Sequence, residues 1–216
     1  MDARNPARHN PQYFELAAGV LCLDFINTLD DRPRGQPKEL INSYLDMVHF
    51  GEDTKILDPL QVRNLSNNYT SAPAQRALRQ ALALREALFA IFSATVNKSP
   101  APPDALNTLN QCLRSAADHS QLVERKKHFS WNFVDSLSHE AVFWPIARSA
   151  ADLLVSDRLQ FVRTCSSKTC QWLFLDTSKN HRRRWCSMKV CGNRVKVRRF
   201  YERQKRAEQR SREKSI

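Results

Sequence analysis

The sequence predicts a mainly α fold with a small β-hairpin element, closed by a C-terminal four-cysteine module of two short strands and a basic helix. Three observations predict it. Glycine is scarce, 4 residues in 216, against roughly 7% in average usage, while alanine and leucine abound. Apolar residues recur at helical spacing through much of residues 12–155. Beyond residue 159 the texture changes to clustered cysteines and arginines.

The elements follow in order. Met1 to Gln12 is polar and rich in proline and asparagine, without the apolar core of a signal peptide. The apolar run Leu16–Leu23 stops at Asp24, far short of the ~20 residues that span a bilayer. A cytoplasmic, nucleoid-associated protein with no membrane partner is expected. Pro37–Gly51 places Leu40, Ile41, Tyr44, Leu45 and Val48 on one stripe and predicts an amphipathic helix. Asp58-Pro59 supplies an N-cap and a first-turn proline for a short helix carrying Leu60 and Leu65. The strongest helix covers about 74–97, with Leu78, Leu82, Phe89, Phe92 and Val96 on one face. Pro102-Pro103-Asp104 opens another, striped by Leu106, Leu109 and Leu113.

Residues 121–134 behave differently. Leu122-Val123, Phe129, Trp131 and Phe133 alternate with polar neighbours, predicting a strand pair. A helix then covers about 137–155, with Pro145 marking its start or a kink. Leu159–Val162 and Trp172–Leu175 read as strands flanking a turn that holds Cys165 and Cys170. From about 187 to 210 helix formers dominate, supported by Glu202/Arg206 and Glu208/Arg212 at i,i+4. The change of texture divides the chain into residues 1–158 and 159–216.

Several function classes drop out. The four glycines form neither GxGxxG nor GxxxxGK[ST], which excludes a Rossmann or P-loop phosphate cradle. His139-Glu140 lacks the second histidine of HExxH, and there is no GxSxG. No catalytic residues are assigned, and a non-enzyme is expected.

The cysteines carry the sharpest signal. Cys165-x4-Cys170-x15-Cys186-x4-Cys191 is a pair of pairs in a chain without a secretion signal. Four thiolates suit a tetrahedral zinc ion and leave no position open for substrate, so the metal would be structural. Two disulfides or four unrelated thiols are the alternatives. Lys189, Arg182, Arg183, Arg184 and Arg194 would offset the thiolate charge, and Gly192-Asn193 suggests a knuckle with positive φ. Cys22 and Cys112 sit in apolar helical contexts and read as packed small residues.

Trp185-Cys186-Ser187-Met188, then Cys191-Gly192-Asn193-Arg194-x-Lys196, preceded by Phe174-x-Asp176 and Arg184, resembles the bacterial CGNR zinc-finger family over about 161–206. Upstream, Leu21-x-Leu23-Asp24-Phe25-Ile26-Asn27-Thr28 resembles the opening of the ABATE-type domain that accompanies this finger. One departure is Gln171 after Cys170, where a small residue such as glycine is expected. The resemblance implies a stress-induced transcription regulator.

Charge points to a partner. Residues 1–160 hold 17 Lys+Arg and 18 Asp+Glu, a net −1, whereas 161–216 hold 17 and 4, a net +13. Such a concentration suits double-stranded DNA. Candidate contacts are Arg182, Arg183, Arg184, Arg194, Lys196, Arg198, Arg199, Arg203, Lys205 and Arg206. RNA binding and a zinc-stabilised protein-interaction module remain alternatives, and a homodimer is left open. In the neutral part Asp24, Asn27 and Arg32 form the one polar cluster with a specific look. They either cap helices or hold a small-molecule effector. With the chain so divided, losing one finger cysteine is expected to unfold only the last ~50 residues, since zinc supplies the folding energy of such modules.

Overall fold

A computed structural model describes residues 14–125, 127–134 and 138–213. The expectation for Met1–Gln12 lies outside these residues. The described chain is mainly helical, with three two-stranded antiparallel sheets.

Helix α1, Leu21–Ile26, lies at the centre with Cys22, Leu23, Phe25 and Ile26 buried. Strands β1 (Leu29–Asp30) and β2 (Lys38–Glu39) then pair across a tight excursion. Helix α2 runs Tyr44–Asp53. The helix expected from Pro37 therefore starts seven residues late. Ser43 Oγ accepts the Asp46 N–H at 3.2 Å while the Ser43 N–H donates to Asp46 Oδ2 at 2.8 Å. That capping box fixes the start. The segment before it is held extended by Leu40 N–H donating to Thr28 O at 3.0 Å.

Asp58 caps α3 (Pro59–Asn67) as the sequence predicts, accepting from Leu60 and Gln61 N–H, both at 2.9 Å. Helices α4 (Ala72–Val96) and α5 (Pro103–Asp118) pack together, and α5 packs on α6 (Trp144–Leu154). Pro145 lies in the first turn of α6, so it marks a start and not a kink. Between α5 and α6, β3 (Ser120–Arg125) pairs with β4 (His128–Phe133), with Leu122 opposite Trp131. The alternation predicts this pairing, but most of its apolar face stays outside the core, which Phe133 joins with its ring 5.6 Å from that of Trp144. Phe129, Trp131 and Leu122 are 68%, 54% and 57% exposed.

The C-terminal hairpin is shorter than predicted. Asp157–Phe161 form a 3₁₀ turn, and the strands are β5 (Val162–Thr164) and β6 (Leu173–Leu175). All of β6 is buried, and it packs on α1. A π turn at Met188–Gly192 leads into α7, Asn193–Glu213.

Candidate metal centre and basic helix

The four cysteines come from three places. Cys165 follows β5, Cys170 precedes β6, and Cys186 and Cys191 lie just before and within the π turn that leads into α7. Their sulfur atoms all lie within 4.8 Å of one another, and all four side chains are buried. Cys170 Sγ is 3.6 Å from Cys186 Sγ, which is 3.7 Å from Cys191 Sγ. A disulfide would need about 2.05 Å, whereas the edge of a tetrahedron with zinc–sulfur bonds near 2.3 Å is about 3.8 Å. The four cysteines are thus arranged to bind one metal ion, and a thiolate-only donor set suits a single structural zinc. Bound there, zinc supplies a crosslink and no open coordination site.

Backbone hydrogen bonds hold the frame. Cys165 N–H donates to Trp172 O and Ser166 N–H to Arg184 O, each at 2.8 Å. Gln171, directly after Cys170, has φ 59°. That left-handed conformation is the reason glycine is expected there. Gly192 and Asn193 correct the opposite expectation: Asn193 is right-handed at φ −67°, and Gly192 is not among the positive-φ residues. Gly192 is buried in the π turn, with the flexible Met188 side chain beside the position a Cβ would take.

Three of the candidate phosphate ligands precede the third cysteine and have different fates. Arg182 and Arg184 are exposed, Arg184 lying 5.6 Å from the Trp185 ring centroid. Arg183 is committed to the finger itself. It donates to Trp185 O at 2.9 Å, to Cys186 O, and to Ala17 O at 3.2 Å, with its guanidinium 4.7 Å over the Phe174 ring. Asp176, almost fully buried, accepts from Ser178 N–H and Oγ–H and from Arg183 N–H, and so shapes the loop before Cys186.

Helix α7 packs chiefly on the π turn before it. Arg194, Lys196, Arg198, Arg203, Lys205 and Arg206 are exposed along it, with Arg198 and Glu202 paired at 3.4 Å. The side chain of Arg199 lies outside the described residues. Arg194 also lines a crevice of about 70 Å³ together with Cys170, Cys186 and Cys191.

Asp24, Asn27 and Arg32 are not gathered around a common cavity. Asn27 is buried and bridges to β6: its Nδ2 donates to Leu173 O at 2.9 Å, and Leu173 N–H donates to its Oδ1 at 3.1 Å. Asp24 Oδ1 accepts the Ala18 N–H at 2.8 Å, and burial pushes its carboxyl up to about 6. Arg32 binds both oxygens of Glu86, at 2.7 and 3.1 Å, and lies 4.0 Å over the Phe89 ring. Beside it is a group that sequence reasoning misses. Arg85, 3% exposed, binds both Glu39 oxygens at 2.6 Å and Thr28 Oγ1 at 3.2 Å. An arginine inside an apolar helical stripe is the signal that could have found it.

Among the described residues a larger concavity lies elsewhere. A cleft of about 730 Å³ opens between β4 and the N-terminal ends of α3 and α6, walled by Trp131, Phe133, Pro145, Arg148 and Asp152. Arg148 stacks 4.6 Å from the Trp131 ring centroid and donates to Asp152 at 2.9 Å. Cys22 and Cys112 belong to neither site; burial raises their thiols to about 12 and about 11. No helix among the described residues is long and apolar enough to cross a membrane.

Comparison with known families agrees with this geometry. The ABATE family, described as "Putative stress-induced transcription regulator", matches residues 19–157, and the CGNR zinc finger matches residues 162–204. No curated protein matches the chain. With the helical body covered by the first family, and the four-cysteine frame and the first part of the basic helix by the second, the chain belongs to the ABATE family and carries a CGNR zinc finger.

Proposed function

We propose that the protein is a zinc-dependent transcription regulator that binds double-stranded DNA through α7. The observation that carries this reading is the placement of the basic charge. Cys191 ends the turn that starts α7, so a bound metal anchors the helix at its base while its cations face solvent. A cylinder about 10–12 Å wide fits a major groove about 12 Å wide. Arginine and lysine on its flanks can then reach phosphates on both sides.

Selection from randomised DNA and RNA pools with the zinc-loaded chain tests the reading. Duplex DNA is the expected winner. With about five phosphates neutralised, log affinity falls against log salt with a slope near −4 to −5, and Arg203→Ala flattens it by about 0.9. Preference for structured RNA, or for no nucleic acid, overturns the DNA reading.

The same proposal gives the helical body a regulatory role. Asp24, Asn27 and Arg32 are engaged with protein partners, so the cleft beside Trp131 is the better seat for a small amphipathic effector. A thermal-shift screen of metabolites against the wild type and Trp131→Ala checks this. Absence of any shift in the wild type removes the effector from the reading.

A further inference from the structure

Helix α7 is not uniformly polar. Arg194, Arg198, Tyr201 and Lys205 follow one another at three- or four-residue steps, Val197 stands three after Arg194 and four before Tyr201, and the five share one face. Val197 and Tyr201, both on that face, are 54% and 58% exposed. Neither belongs to the apolar core or to the partly buried residues packed on it. Phe200, 57% exposed, lies beside them with its ring 5.8 Å from that of Tyr201. A helix serving only as a solvated tether has no use for these side chains.

The surrounding charge selects the occupant. A second copy of the same face would bring Arg194, Arg198 and Lys205 against their own equivalents, at a like-charge cost that two small apolar contacts do not offset. An anionic partner with apolar points on its surface fits instead. On duplex DNA those points are the thymine C5-methyl groups, displayed only in the major groove.

We propose that Val197 and Tyr201 contact thymine methyl groups, while Arg198 and Lys205 on the same face reach base edges or phosphates. This rests on the DNA-binding reading above and makes Val197 and Tyr201 specificity-determining residues. The helix spans about 31 Å at 1.5 Å per residue, so the Val197–Tyr201 turn can lie in the groove while both ends cross the backbones. Glu202, held by Arg198 at 3.4 Å, sits at the edge of this face.

The test uses the full-length, zinc-loaded chain and a duplex recovered from the randomised pool. A second duplex carries deoxyuridine at every thymidine, which removes the methyl groups and leaves charge and hydrogen-bond edges unchanged. Affinity is expected to fall about fourfold for each methyl group taken from beneath the helix, with an unchanged salt slope. In Val197→Ala and Tyr201→Ala the difference between the two duplexes shrinks, again with the salt slope retained; both sites are exposed, and circular dichroism verifies folding. Equal binding of the two duplexes by the wild type overturns the inference and leaves DNA binding standing. Binding to neither duplex defeats the DNA-binding reading itself. Tighter binding to a uracil-containing single strand transfers the aromatic face to base stacking and also overturns the inference.

Discussion

Asp24 shows how far a single residue can mislead and then inform. In the sequence it reads as a helix cap or as part of a ligand site; in the fold it is a half-buried carboxyl that accepts the Ala18 N–H. Burial raises its pKa from 3.8 to about 6, against the opposing pull of the backbone bonds from Ala18 and Ala17. The folded chain therefore keeps a proton that the unfolded chain releases. Its contribution to stability is fully present below the unfolded value, falls as pH rises through the window from 3.8 to about 6, and is lost above it. Asp24→Asn keeps the acceptor and removes the charge. Urea denaturation should show the variant more stable than wild type by on the order of 2 kcal/mol at pH 8, with little difference near pH 4. Equal destabilisation at both pH values would mean the carboxylate is compensated in place. Gln171 and Gly192 carry the same lesson in another form. The motif locates both, but only backbone geometry assigns the positive φ to Gln171 and denies it to Gly192.

At the level of elements, the sequence specifies helices well wherever caps and periodicity agree. Asp58-Pro59 sets α3 and Pro103 opens α5 where they are expected. Helix α6 instead starts at Trp144 beside Pro145, about seven residues after the expected 137, behind a 3₁₀ turn at His139–Val142. The sequence also fails at α2, because Leu40 and Ile41 continue a helical spacing although they pack, Leu40 partly and Ile41 fully buried, from a segment outside the helix. Periodicity registers burial and not backbone conformation. The β3–β4 hairpin is legible by alternation, but its exposed apolar face is not, since alternation says nothing about which face meets the core. That face is what gives the cleft beside α6 its aromatic wall. If an effector occupies it at about a hundred times its dissociation constant, stabilisation is about 2.7 kcal/mol. In a chain of this size that raises the melting temperature by about 5–10 °C. Trp131→Ala should abolish the shift with little change in unliganded stability, because Trp131 is 54% exposed and its removal leaves no core cavity.

Across the whole molecule, the charge division and the four cysteines are fully legible in the sequence, whereas the union of the two parts is not. It joins residues more than 140 positions apart, beyond the reach of local patterns. Asn27 bridges to Leu173 through two hydrogen bonds, Trp172 Nε1–H donates to Asp30 at 2.7 Å, Leu175 N–H donates to Ala18 O at 2.8 Å, and Arg183 reaches Ala17 O at 3.2 Å. Strand β6 is thus shared: it follows Cys170 and also covers α1. The expectation that a missing cysteine unfolds only the last ~50 residues gives way to a coupled one. Structural zinc in finger peptides is worth roughly 10–16 kcal/mol, on the scale of an entire domain's 5–15 kcal/mol. The fraction transmitted through β6 should be several kcal/mol, given about 1 kcal/mol for each buried hydrogen bond and about 2 kcal/mol for each buried leucine. Chelation, or Cys186→Ser, is then expected to speed hydrogen exchange in α1 as well as in β5 and β6. Protein purified without chelator should hold close to one zinc equivalent. Asn27→Ala leaves two buried backbone groups of Leu173 unpaired and should cost about 2–4 kcal/mol with zinc present. It should also shrink the further destabilisation on chelation, because the route between the parts is already weakened. Exchange in α1 that is indifferent to zinc would show that the finger folds beside the helical body without supporting it.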